Sequence, residues 1–175
     1  IACVLLVLSA LLDAGYAPRH FSTGVGAHIV LSLLAYAVLA MAPLLKEGLM
    51  ETDSVIVSSV TGASGAGKNP SSKFHFPNMN ENLFPYGVGT HRHMPEMEQI
   101  AGEVAGTGVQ ILFQPHVGPF DRGILSSVYG RPAKGLKNEQ LLPLYHDFYK
   151  AEPFVRVCKT PPAVKDVAGT NYCHV

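Results

Sequence analysis

The chain has 175 residues, with Lys+Arg 13 balancing Asp+Glu 13, eight histidines and no tryptophan. That length suffices for one ordinary domain with a real core, while the absence of any basic stripe with interleaved aromatics excludes a nucleic-acid binder. Three cysteines, Cys3, Cys158 and Cys173, lie far apart with no CxxC pair, so neither a zinc nor a dithiol motif is present and a reducing compartment is expected.

Apolar residues crowd the first 45 positions. IACVLLVLSALL (1–12) has the character of a signal-peptide apolar region but lacks a basic segment before it. AHIVLSLLAYAVLAMAPLL (27–45) is long enough to cross a bilayer and carries only His28 as an ionisable group. The preferred reading is a core helix buried on most sides, stopped by KEGL, where Lys46 suits the C-terminal dipole and Gly48 a left-handed cap. A membrane partner is therefore not expected.

DSVIVSSV (53–60) predicts a β-branched strand running directly into GASGAGKN (62–69). That loop is one letter from GxxxxGK[ST], but Asn69 replaces the magnesium-binding hydroxyl and no helical period follows Pro70, which argues against a P-loop. Two readings remain: a turn whose glycines permit positive φ, or a loop whose glycines admit another molecule close to the backbone. Residues 69–86, with three prolines and four asparagines, read as extended chain and turns, a connection long enough to build a site.

MPEMEQIAGEVAG predicts a helix opening at Pro95, with Glu96 and Glu98 in its first turn, Met97, Ile100, Ala101 and Val104 on one face, and a stop at Gly106 and Gly108. VQILFQPHV and RGILSSVYG predict two strands joined by GPFD as a hairpin or a longer crossing. Residues 138–150 are amphipathic, with Pro143 placed in the first turn of a helix or bending it. EPFVRVCK and TNYCHV add two short strands, and an end inside the last one suggests a chain continuing beyond Val175. Helices falling between runs of strands favour an α+β domain with a mixed sheet.

GTHRHMPE (89–96) places two imidazoles and a guanidinium just before a helix N-terminus. The positive end of the dipole disfavours imidazolium at His93, keeping the neutral base that proton transfer needs. Glu96 stands three residues on, within reach of the His93 ring or amide, and Arg92 supplies a fixed charge suited to a carboxylate or phosphate. A metal site from His91 and His93 needs a third ligand, which only His75, His116 or Glu96 could bring; no metal is expected. An ordinary polar helix entrance stays open as the plain reading.

Taken together and in order, APLLKEGL, DSVIVSSVTGASGAGK, NENLFPYGVGTHRHMPEMEQ, PHVGPFDRGIL and EPFVRV with KDVAGTNYC resemble the N-acetyl-γ-glutamyl-phosphate reductases of arginine biosynthesis, from about Leu39 onward. The resemblance implies a mainly antiparallel mixed sheet with helices packed on it, like the second domain of aspartate-semialdehyde and glyceraldehyde-3-phosphate dehydrogenases. It also implies NADPH-dependent reduction of a small acyl phosphate to the semialdehyde with phosphate release, in a cytoplasmic homo-oligomer, dimer or tetramer. In that family a cysteine thiolate displaces phosphate to give a thioester, which is then reduced while a histidine manages the protons. Carried onto this chain, the catalytic histidine is His93 with Glu96 as partner; His91 and Arg92 are candidate substrate contacts. Ser64, Gly65, Ala66 and Gly67, with Asn171, are candidate NADP(H) contacts. Lys68 stands where the family usually has Arg, keeping charge but not the fork. The equivalent reductase of carrier-linked lysine biosynthesis is the near alternative; a non-catalytic dimerisation or binding fragment is the distant one.

Two departures qualify that implication. The family's nucleophile sits in an Asn-Pro-Gly-Cys-Tyr-Pro-Thr motif that has no counterpart here: by count its cysteine falls near Ser32, which is assigned no role, and none of the three cysteines matches. The dinucleotide domain is also missing, TGVGAHI (23–29) offering only two of three glycines. Residues 1–38 are thus set apart as an atypical apolar segment from a domain spanning 39–175, incomplete toward its C-terminus, and this chain alone is expected to be inactive. A fusion, an unusual N-terminus or an upstream frame error would each produce that pattern.

Overall fold

The computed structural model describes residues 37–67, 69–133 and 135–175. The readings placed on Cys3, residues 1–12, TGVGAHI, Ser32 and Lys68 lie outside the described residues, as does the first part of the apolar stretch 27–45.

Residues 37–46 form a helix, α1, that ends at Gly48 (φ 63°), with the Gly48 and Leu49 amides donating to the Leu45 and Leu44 carbonyls at 3.2 and 2.8 Å. A four-stranded sheet follows in the order β2-β3-β1-β4, built from β1 (Val55–Thr61), β2 (Phe84–Pro85), β3 (Ile111–Val117) and β4 (Ile124–Tyr129). β1 pairs parallel with β3, while β1 with β4 and β2 with β3 are antiparallel. The mixed sheet expected from the sequence is therefore present. GPFD makes no hairpin: β3 and β4 flank β1 from opposite sides, so the link crosses over the end of β1. A separate parallel pair joins β5 (Val155–Arg156) to β6 (Cys173–His174).

Alternation on β1 and β3 decides which way the sheet faces. Val55, Val57, Ser59 and Thr61, with Ile111, Phe113, Pro115 and Val117, are buried on one side. Against that side pack α1 and α2 (Met94–Ala105), whose buried Met97, Ile100, Ala101 and Val104 are the face the sequence predicts. Met94 begins this helix and Pro95 comes second, one place later than expected, where its missing amide hydrogen costs nothing. Glu98 accepts a hydrogen bond from the Ile111 amide at 2.9 Å, tying α2 to the start of β3.

α3 (Asn138–Phe148) lies on the far side of α1, where Tyr149, Val155 and Cys173 gather around Leu39 in a second apolar cluster. Pro143 sits in the middle of α3, not in its first turn; the carbonyl it leaves unpaired belongs to exposed Glu139 and faces water. The 69–86 connection is more ordered than read: it holds a 3₁₀ turn (Ser72–Phe74), a single helical turn (Phe76–Met79) and β2. Among the described residues no helix is long and apolar enough to cross a membrane.

Candidate active site

The glycine loop is held by the neighbouring turn. Amides of Gly62, Ala63 and Ser64 donate to the carbonyls of Gly123, Phe120 and Asp121 at 3.0, 2.9 and 3.1 Å, and the Ser64 hydroxyl donates to the same Asp121 carbonyl at 2.7 Å. A Cβ on Gly62 would overlap the Asp121 carbonyl group. One glycine is therefore needed for a close approach of backbone to backbone within the protein. Three amides that a P-loop would turn toward phosphate are already committed, which disposes of the phosphate-cradle reading on structural grounds.

Beyond those amides the loop makes a short 3₁₀ helix, Ala63–Ala66. Gly65 and Ala66 line a cavity of about 300 Å³ with Thr61, Phe74, Phe84 and Tyr86. Three aromatic residues and the loop backbone thus share the lining of one small, mostly apolar cavity. The aromatic wall was not picked out in the sequence, where KFHF and LFPY read only as irregular chain; their one signal was aromatic density in a turn-rich segment. Asn171 lies elsewhere, in a cavity of about 750 Å³ with Arg122, Tyr172 and His174, and no described residue lines both cavities. The candidate cofactor contacts are therefore divided between two places.

The histidine pair forms the second centre. Tyr86 anchors its approach, its amide donating to the Pro115 carbonyl at 3.1 Å. A Cβ on Gly87 (φ 57°) would lie 3.0 Å from the His91 ring, so glycine lets that imidazole fold back. His91 stands edge-on to Tyr86, His93 and Phe113 at centroid distances of 5.4, 4.8 and 5.0 Å. Its Nδ1 accepts the His93 amide hydrogen at 3.3 Å, while Arg92 Nε donates to His93 Nε2 at 3.1 Å.

His93 is 4% exposed, and its Nδ1 is buried with no hydrogen-bond partner among the described residues. Burial first, then the positive charge available to His91 and Arg92, lowers its pKa to about 4. Burial and Arg92 lower that of His91 too. The neutral imidazole expected at His93 is thus favoured mainly by desolvation. The expected contact with Glu96 is not made: Glu96 is exposed at the third helical position and no side chain caps the helix at His93. His93 already has helical backbone angles (φ −87°, ψ −5°) and its ring turns inward, away from that surface. Among the described residues no group of three or more potential ligands could hold a metal ion. Cys158 is a partly exposed thiol and Cys173 a buried one, neither of them in a disulfide.

Comparison with known proteins decides the family. The semialdehyde dehydrogenase dimerisation domain matches residues 35–175. The chain belongs to that family. Its relatives include N-acetyl-gamma-glutamyl-phosphate reductases from Pelotomaculum thermopropionicum, 47% identical over 79% of this chain and 41% of that protein, and from Desulforudis audaxviator, 45% identical over 78% and 40%. The one from Staphylococcus aureus is 42% identical over 78% and 40%. The chain accordingly spans about two fifths of the length of these relatives. Among solved structures, aspartate semialdehyde dehydrogenase II from Vibrio cholerae aligns with a TM-score of 0.58 at 12% identity, over 80% of this chain and 48% of that one. Its complex with ASA gives 0.59 at 13%. These two share the fold of this semialdehyde dehydrogenase domain, the α+β architecture with a mixed sheet.

Proposed function

We propose that this chain is the catalytic and dimerisation part of an NADPH-dependent reductase that converts N-acetyl-γ-glutamyl phosphate to N-acetylglutamate semialdehyde, releasing phosphate, in arginine biosynthesis in the cytoplasm. The observation that carries the reading is the buried, neutral His93 beside His91 and Arg92 at the start of α2, in a sequence 47% identical to a reductase of that name. A neutral imidazole can give up and recover a proton in acyl transfer and carbonyl reduction, and the Arg92 guanidinium can face an anionic substrate group. Glu96, exposed on α2, is left with a role at the surface of that site.

NADP(H) would supply the hydride. The residues would suit one end of it: the apolar cavity lined by Gly65, Ala66, Phe74, Phe84 and Tyr86 supports a place for its ring, whereas the committed amides of Gly62, Ala63 and Ser64 offer no phosphate cradle. Ser64 and Gly67 hold the shape of that loop, and Asn171 serves the larger cavity. Residues 39–175 form the functional unit in this reading, with 1–38 apart from it.

The test is a chimaera in which residues 35–175 replace the matching segment of the Pelotomaculum reductase. It should show NADP- and phosphate-dependent oxidation of the semialdehyde, falling about a hundredfold or more in His93→Asn. A folded chimaera without turnover would sink the reading, and preference for a carrier-linked substrate would move it to the lysine pathway.

A second reading, assembly, is favoured by the outer sheet face. Ile56, Leu112, Leu125 and Tyr129 are 44, 57, 41 and 59% exposed on the side opposite the helices. Exposed apolar residues grouped on one face, in a domain family described by dimerisation, suit a second copy of this chain.

A further inference from the structure

The histidine centre contains a hydrogen bond whose direction has only one solution. Arginine has five N–H donors and no acceptor. Since Arg92 Nε lies 3.1 Å from His93 Nε2, that ring nitrogen must present a lone pair. A neutral imidazole with a lone pair on Nε2 carries its proton on Nδ1. That nitrogen is the buried atom left without a partner among the described residues. We propose that Arg92 is a positioning residue which locks His93 as the neutral Nδ1–H tautomer, so that the ring enters the reaction as a directed hydrogen-bond donor with its proton already placed.

This deepens the reductase reading and rests on it for its purpose, though not for its test. The preference between two imidazole tautomers in water is small, and one fixed donor is enough to override it. The groups bearing on the ring act in the same sense. His91 and Arg92 both oppose a second positive charge, and the carboxylate on the same helical turn, Glu96, is exposed and makes no bond to it. His91 contributes orientation, its Nδ1 taking the His93 amide, while its ring is itself held by Tyr86 and Phe113. A buried donor with no acceptor costs free energy in the free protein. Such a donor is restored to full bonding by a thiolate, a carbonyl oxygen or an oxyanion arriving at Nδ1.

The full chain, labelled with ¹⁵N histidine, gives the readout directly through long-range ¹H–¹⁵N correlations. At neutral pH His93 should show a protonated Nδ1 and an unprotonated Nε2. Arg92→Gln should release the ring into a mixture of tautomers and move its titration midpoint upward. Arg92→Lys, which keeps a charge but not the Nε–H, should lose the tautomer lock with a smaller movement of the midpoint. Wild-type protein with the proton on Nε2 would overturn the proposal. So would an unchanged tautomer in both variants while the amide spectrum shows the fold intact. None of these readings depends on turnover, so an inactive chimaera leaves this outcome separately decided.

Discussion

The Tyr149 hydroxyl donates to the Leu39 carbonyl at 2.6 Å, the one carbonyl of α1 that Pro43 deprives of its helical amide. Tyr145 reaches the next carbonyl, Ala40, at 2.5 Å, but that oxygen keeps the residue 44 amide four places on. Tyr149→Phe should therefore cost about 1–3 kcal/mol, as expected for a buried acceptor left unsatisfied. Tyr145→Phe should cost less. Urea denaturation of the two variants side by side measures the difference, and equal costs would mean that Pro43 is not the reason.

Gly62 and Gly65 stand in the same loop but face different neighbours. Gly62→Ala drives a methyl group into the Asp121 backbone, whereas at Gly65 the nearest atom is the Thr61 hydroxyl at 3.3 Å. The first should lose about 1–3 kcal/mol, typical of forced overpacking, and the second less than about 1 kcal/mol. Thermal unfolding of both checks the order. In the chimaera, Gly62→Ala should also weaken NADP binding, because the loop must swing away from the turn that holds it.

His93 makes the fold acid-sensitive in a defined window. Its ordinary pKa of 6.5 falls to about 4 in the folded chain, so below pH 6.5 the unfolded state binds a proton that the folded state refuses. The associated stability is full above pH 6.5 and is lost as pH falls toward 4. His91, lowered by the same causes, acts in the same direction. Between pH 7 and 4.5, His93→Asn should show a flatter decline in unfolding free energy than wild type; identical slopes would show that His93 does not titrate as the geometry requires.

The outer sheet face can be tested by charge. Leu112 and Ile56 point to solvent and contribute nothing to the core of the protomer, so Leu112→Asp with Ile56→Lys should leave the fold intact. Sedimentation velocity should show wild type as a dimer and the double variant as a monomer. A variant that remains dimeric would place the interface elsewhere.

Legibility followed the range of the physics involved. The face of α2 was readable because four apolar residues at helical spacing depend only on their own segment, and the strands at 55–61, 111–117 and 124–129 were readable for the same local reason. Pairing was not: nothing inside VQILFQPHV or RGILSSVYG states that β1 comes between them, because strand order is settled by the whole sheet. The Glu96 expectation failed at the level of a rotamer, since spacing cannot tell that the His93 ring turns into the core. Gly62 was flagged for closeness to something, but its neighbour proved to be Asp121, about sixty residues on, a contact that only the tertiary fold creates.

α1 contains the described part of the apolar run 27–45, and its surroundings explain the apolar character of that part. Val38, Met41, Ala42 and Leu45 belong to the sheet-side cluster, whereas Leu39 belongs to the one formed with Tyr149, Val155 and Cys173. A helix shared in this way has no face to give to water when either cluster opens. Melting of the β5–β6 end would uncover Leu39, and melting of the sheet side the residues of the larger cluster. The two clusters therefore act as one cooperative unit, with α1 as the common wall, and the domain should lose its structure in a single step.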